Sequence, residues 1–203
     1  MPTADRQAQR RTLVLDAAFE LLGTEGWSGT TVRGVCERAR LNPRYFYESF
    51  TDLDALVIAV YDRVVEDLSQ EVLAALEAKP NDDPAAQVHE VVARIVSFVD
   101  EDRRRARVLY VEALGNEALN LRRIETGRAV VAFVERYAAE QSGAAAPGDS
   151  AWRVGAAVLV GGFSELLIDW LAGRIPLSRT QLIDDATALF LALGDATAKL
   201  RSL

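Results

Sequence analysis

The chain has 203 residues, of which 50% are hydrophobic and 26% charged, and a formal net charge of −7. That is enough for one good core, or for a small domain beside a larger one, with the composition of an ordinary globular protein. One cysteine excludes an internal disulfide and a thiolate metal cluster. Charges interrupt every long apolar run, so no transmembrane span is expected. The opening MPTADRQAQRR lacks the apolar stretch of a signal peptide, and a cytoplasmic location is the expectation.

The charge is unevenly divided. Residues 1–50 carry seven Arg against six Asp or Glu, a net of +1, and residues 51–203 carry 16 basic and 24 acidic side chains, a net of −8. The acid therefore lies mainly outside the first fifty residues, which leaves that part able to meet a polyanion. Of the 23 basic residues, 21 are Arg, the side chain suited to bidentate contact with phosphate or guanine.

Residues 1–9 are polar and read as a frayed tail, with Arg6, Arg10 and Arg11 within reach of a phosphate or a solvent-facing role. A first helix is expected over about Arg10 to Thr24, its inner stripe Val14, Ala17, Ala18, Leu21 and Leu22, stopped at Gly26, with Trp27 plugging a small core. A second helix begins at Thr30 or Thr31, either of which can cap it, and sets Val32, Val35, Cys36 and Ala39 at helical spacing. The chain breaks at Arg40-Leu41. Asn42 and Pro43 then supply an N-cap and a first helical residue for a third helix of about two turns. In it Phe46 and Phe50 should turn inward, leaving Arg44, Tyr45, Tyr47 and Glu48 outside. Thr51-Asp-Leu-Asp54 reads as a capping-box variant opening a fourth helix.

Two short helices with a tight turn, an inward Phe pair and outward Arg and Tyr are what a helix-turn-helix needs, because the second helix must lie in a major groove. On this reading Thr31, Tyr47 and Thr51 position the head on phosphates, Arg44 and Tyr45 face base edges, and Arg33 and Arg40 flank them. The candidate DNA-binding set is Thr30, Thr31, Arg33, Asn42, Pro43, Arg44, Tyr45, Tyr47 and Thr51. The segment also resembles the N-terminal domain of the TetR (tetracycline-repressor-like) family of transcriptional regulators. The matching residues are Leu13-Val-Leu-Asp-Ala-Ala-Phe-Glu-Leu-Leu22, Glu25-Gly26-Trp27, Thr30-Thr31-Val32-Arg33, and Phe46-Tyr47-Glu-Ser-Phe50 followed by Leu56. The resemblance covers about the first quarter of the chain; beyond it only length and helical character match. The family usually has a small residue, often Gly, where Arg40 stands, and often a phosphate-touching Lys where Leu53 stands.

Downstream, the fourth helix runs from about Asp52 to Ala78 on Leu53, Leu56, Val57, Val60, Val64, Leu68, Val72 and Leu76, long enough to connect a head to a body. Lys79 to Pro84 is the clearest break. A fifth helix carries Val88, Val91, Val92, Ile95 and Val99. The Arg cluster 103–107 reads as mixed surface charge at helix ends rather than an anion site. A sixth helix spans Val108 to Leu114, Gly115-Asn116 turns, and a seventh runs to about Gln141, followed by a loop through Gly148. The eighth, Ser150 to Ala172, is the most apolar, and its Gly161-Gly162 pair implies a close approach by a neighbour or ligand. Ser178 and Gln181 form a capping box for a ninth, striped by Leu182, Ala186, Leu189, Phe190, Leu193 and Leu200.

No catalytic constellation appears. His89 has no ligand-spaced partner, and the Gly-rich phosphate loop and the motifs GxSxG and HExxH are missing, so neither an enzyme, a metal nor a cofactor is expected. The sequence thus describes an all-α protein of about nine helices. A helix-turn-helix domain occupies residues 1–51 and a helical effector-binding and dimerisation domain residues 52–203, with 52–78 as connector. The resemblance implies a regulator, most simply a repressor, whose last two helices pair with their twins in a homodimer. A small-molecule effector in the body would alter the spacing of two heads on a roughly palindromic duplex DNA site. Candidate pocket residues are Phe98, Tyr110, Glu112, Asn116, Phe133, Tyr137, Trp152 and Phe163, with a plain packed core as the competing reading. The alternative from another class is a helical small-molecule-binding or scaffolding dimer without specific DNA binding.

Overall fold

The computed structural model describes residues 3–78, 83–142 and 150–200, and among them the chain is all helical, with no strand. Ten α-helices follow in order: α1 (Thr3–Thr24), α2 (Gly26–Gly29), α3 (Val32–Ala39), α4 (Pro43–Tyr47), α5 (Leu53–Ala78), α6 (Pro84–Glu101), α7 (Arg103–Ala106), α8 (Glu117–Ser142), α9 (Ser150–Leu171) and α10 (Arg179–Leu200). A π-helical turn, Arg107–Val111, and a 3-10 turn, Glu112–Gly115, join α7 to α8 where one regular helix was expected. The expected breaks at 79–82 and 143–149 lie outside the described residues.

The chain forms two compact units. The first is Met1–Leu68 with Glu101–Arg123, and the second is Ser69–Asp100 with Ile124–Leu203. In the first, the α1 stripe is buried as the periodicity requires: Val14, Ala17, Ala18, Leu21 and Leu22. They meet Val35, Cys36, Phe46, Phe50, Leu56, Val57 and Val60 in the same core, with Val108, Leu109, Ala113 and Leu119 from the inserted segment. Burial pushes the Cys36 thiol pKa up, which keeps it an inert core group. The start of α1 corrects the sequence reading, since residues 3–9 continue the helix instead of fraying. The gain is a docking site, as Gln7 Nε2 donates to the Glu48 carbonyl at 3.4 Å. Trp27 is half-buried rather than a core plug.

The inserted segment is fastened at four points. Asp102 caps α7 and takes Arg104, whose guanidinium lies 5.1 Å from the Phe19 ring; the Arg104 hydrogen bond holds the Asp102 carboxyl below its usual range. Arg107 donates to the Thr24 carbonyl at 2.6 Å and to Glu112 at 2.5 Å. Glu112, buried, accepts the Trp27 backbone N–H at 2.6 Å. Asn116 caps α8 through the Leu119 N–H and donates to Asp54. Gly26, at φ +77°, is required here twice over. Its backbone is left-handed, and a Cβ would lie 2.7 Å from an Arg107 nitrogen and 2.8 Å from a Glu112 oxygen. The Arg cluster is therefore largely internal fastening.

In the second unit, α9 and α10 pack as a pair. Phe163 meets Phe190 edge-on at 5.1 Å, and Gly155 lies against Thr197. Gly173, at φ +72°, closes α9, and the Ser178–Gln181 capping box forms reciprocally as expected. His89 is exposed and lies 3.3 Å from Asp184. Two expectations change. Leu189 is exposed rather than part of the inner stripe, and α9, despite Glu165 and Asp169, is long and apolar enough to cross a membrane by length and composition. Only 17% of its apolar window is buried; Val154 and Val158 are exposed, and a Cβ at Gly161 or Gly162 would meet nothing within 4 Å. The close approach expected at those glycines is thus absent from the described part of the chain. The Leu200 side chain lies outside the described residues.

Candidate nucleic-acid interface

The site is built from α3, a left-handed turn and α4. Thr31 caps α3 by accepting the Gly34 N–H at 3.0 Å. The helix ends where Arg40 takes φ 55°, ψ 41°, its N–H reaching back to the Cys36 and Glu37 carbonyls. This is the αL position that glycine fills without strain, which gives the family preference for a small residue here a physical cause. Asn42 then caps α4 through the Arg44 N–H at 2.9 Å, with Pro43 in the first turn. Phe46 is fully buried and lies 5.9 Å from Phe50, ring centre to ring centre, so this pair pins α4 from beneath.

That pinning decides what faces water. Thr31, Arg33, Asn42, Pro43, Arg44, Tyr47 and Thr51 are all exposed, Tyr47 to 61%. Arg33 is held by Glu37 at 2.8 Å, which raises its already high pKa and keeps it a cation. Two of the nine candidates sit differently. Thr30 is buried and its hydroxyl donates to the Gly26 carbonyl at 2.7 Å, closing the α2 turn instead of facing outward. Tyr45 is half-buried beneath Arg10, whose guanidinium lies 4.4 Å from the ring centre. The cap of α5 also differs from the sequence reading: Asp52, not Thr51, accepts the Ala55 N–H, and Thr51 donates to Asp52.

Sequence reasoning named Arg10 and Glu48 but did not pair them. Arg10 reaches Glu48 at 3.2 Å across 38 residues, a pairing that no local pattern announces. Glu48 also lies 3.4 Å from Arg44, at i,i+4 spacing, and that signal was legible.

The candidate pocket residues do not share one unit. Tyr110, Glu112 and Asn116 belong to the first, where Glu112 and Asn116 are bonded as above and loss of water around the Tyr110 hydroxyl pushes its pKa far up, with Tyr61 adding to it. Phe98, Phe133, Tyr137, Trp152 and Phe163 belong to the second. There Phe133 stacks on Tyr137, whose hydroxyl donates to Gln87 at 2.5 Å. Within the described part of this unit, Trp152 Nε1 and a Glu135 carboxylate oxygen are buried without a hydrogen-bond partner, as are Arg10 Nε and Arg123 Nε in the first unit.

Residues 14–60 match the family model of bacterial regulatory proteins of the tetR family. The HTH-type transcriptional regulator BetI of Burkholderia thailandensis is 32% identical over 93 residues, which is 46% of this chain and 47% of that protein. The match thus spans about half the length of this curated relative. Among solved structures, the fatty acid degradation regulator FadR of Bacillus halodurans aligns with TM-score 0.73 at 16% identity over 90% of this chain and 94% of that one. FadR of Bacillus subtilis, in complex with stearoyl-CoA, gives 0.71 at 18% over 88% and 96%. The multidrug binding protein EbrR, complexed with imidazole, gives 0.66 at 24% over 91% and 94%. At these identities the likeness is one of fold.

Proposed function

Because residues 14–60 match the family model of bacterial regulatory proteins of the tetR family, we propose that the chain is a ligand-responsive transcriptional regulator of that family that binds duplex DNA through α3 and α4. The observation that carries this reading is the α3–α4 geometry. A buried Phe46–Phe50 pair fixes a short helix whose outward side chains are Arg44 and Tyr47, preceded by two capped helix N-termini. Such N-termini favour phosphate, and Arg44 suits the guanine O6/N7 edge. On this reading residues 1–51 read DNA, and residues 52–203 bind the effector and dimerise, with 52–78 connecting them. Thr31, Tyr47 and Thr51 take phosphates, Arg44 a base, and Thr30 and Tyr45 hold the helices in place.

The homodimer is proposed to form through α9 and α10. The support is the exposed stripe Val154, Ala157, Val158, Gly161 and Gly162 on α9, with Ala188, Leu189 and Ala192 on α10. Small residues with open space above them let a second backbone come close, and a partner would cover an apolar face that water otherwise meets. The effector is proposed to bind in the second unit near Phe98, Phe133, Tyr137, Trp152 and Phe163. The orphaned Trp152 Nε1 and Glu135 oxygen there supply a donor and an acceptor. Repression follows as the simplest output: an effector that binds the non-DNA geometry more tightly draws the protein off its site.

The test is a binding titration of the purified protein on its own upstream DNA over increasing salt, beside an Arg44→Ala/Tyr47→Ala double variant. A log–log slope of about −0.9 per phosphate contact is expected, with specific binding lost in the variant. A slope near zero, or equal binding by the variant, refutes the reading and favours a dimer that does not read DNA.

A further inference from the structure

Glu48 directly follows α4, beside helix-end carbonyls that disfavour a negative charge. Two cations hold it there. Arg10 Nη2 lies 3.2 Å from one carboxylate oxygen and Arg44 Nε lies 3.4 Å from the other. Arg10 is anchored in turn over the Tyr45 ring, and Gln7 grips the Glu48 carbonyl. Exposure grades across this row, since the side chains of Arg10 and Glu48 are 23% and 32% exposed and that of Arg44 is 82% exposed. The acid thus lies between the two arginines, and the outer arginine is the exposed one.

We propose that Glu48 is a specificity-determining residue: it occupies Arg10 and Arg44 in the free protein and so suppresses sequence-independent binding to DNA. The inference rests on the reading of α4 as the DNA-facing helix. Any phosphate can offer Arg44 or Arg10 one anionic partner, but each already has one in Glu48. The exchange swaps one anion for another and leaves a carboxylate facing a polyanion. Binding anywhere along a duplex therefore gains little from these two cations. A G·C pair differs, because guanine O6 and N7 accept from Arg44 in bidentate geometry while cytosine N4 offers a donor to the released carboxylate. Both partners are then compensated at the right base pair and nowhere on the backbone.

The experiment uses the full chain and a duplex of arbitrary sequence, with binding followed by fluorescence anisotropy between roughly 50 and 200 mM salt. Wild type is compared with Glu48→Gln and Glu48→Ala, and with Glu77→Gln, which makes the same charge change outside the helix-turn-helix. Thermal melts establish that each variant is folded. The expected result is ~3- to 10-fold tighter binding of arbitrary duplex by both Glu48 variants at low salt. The salt slope should steepen by one to two contacts, about 0.9 each, and Glu77→Gln should follow wild type. Glu48 variants with wild-type affinity and slope, or weaker binding, overturn the inference while leaving the DNA reading intact. A wild type that binds no duplex even at low salt overturns both.

Discussion

Replacing Glu112 by Ala perturbs a single carboxylate that fastens the inserted segment to α2. The side chain is 10% exposed, and it accepts the Trp27 N–H at 2.6 Å and Arg107 Nε at 2.5 Å. Removing one partner of a buried charged pair costs about 3–5 kcal/mol, because the other is left uncompensated. Two features lower that figure. Arg107 is 37% exposed and keeps the Thr24 carbonyl at 2.6 Å, so water and that carbonyl recover part of the loss. A cost of about 2–3 kcal/mol remains, which in a chain of this size lowers Tm by roughly 4–12 °C. Glu112→Gln keeps an oxygen for Trp27 but turns an amide without charge toward Arg107, and should cost about half as much. The assay is chemical and thermal denaturation of wild type, both Glu112 variants, Arg107→Ala and the double variant. A coupling energy of ~1 kcal/mol or more between the two positions is expected, as for side chains in direct contact. A Glu112→Ala change below ~0.5 kcal/mol, the range of an ordinary surface substitution, would refute the reasoning.

Arg40→Gly should stabilise the protein by about 0.5–1 kcal/mol. It removes the strain of a side chain at φ 55° in the α3–α4 turn, partly offset by the greater freedom of glycine in the unfolded chain; a lower denaturation midpoint would count against it. Val158→Asp, at a position 59% exposed within this chain, should leave the monomer's fold unchanged by circular dichroism while sedimentation equilibrium shifts from dimer to monomer. A wild type that is already monomeric at tens of micromolar, or a variant that still dimerises, would remove α9 from the interface.

The sequence by itself determined the elements whose causes are local. The α1 stripe, a threonine cap on α3, the Asn42 cap, the inward Phe46–Phe50 pair and the Ser178–Gln181 box all follow from spacing within one or two helical turns, and all are in place. Which faces were apolar was equally legible, since 3.6-residue periodicity needs no knowledge of the partner. What only the tertiary structure decided is who meets whom. Thr30 and Thr31 are interchangeable as caps on paper, but closing the Gly26 turn buries Thr30 and leaves Thr31 outside. Residues 3–9 are polar and carry no helical stripe, and they are helical where Gln7 and Arg10 find Glu48 some 40 residues away. By sequence Glu112 is one candidate polar residue of a pocket in the body, with a plain packed core as the competing reading. The structure shows it meeting Arg107 and the Trp27 N–H, 85 residues distant, a pairing set by how the inserted segment folds onto α1 and α2. Long-range pairs of this kind depend on where two surfaces close, and one-dimensional spacing carries no record of that.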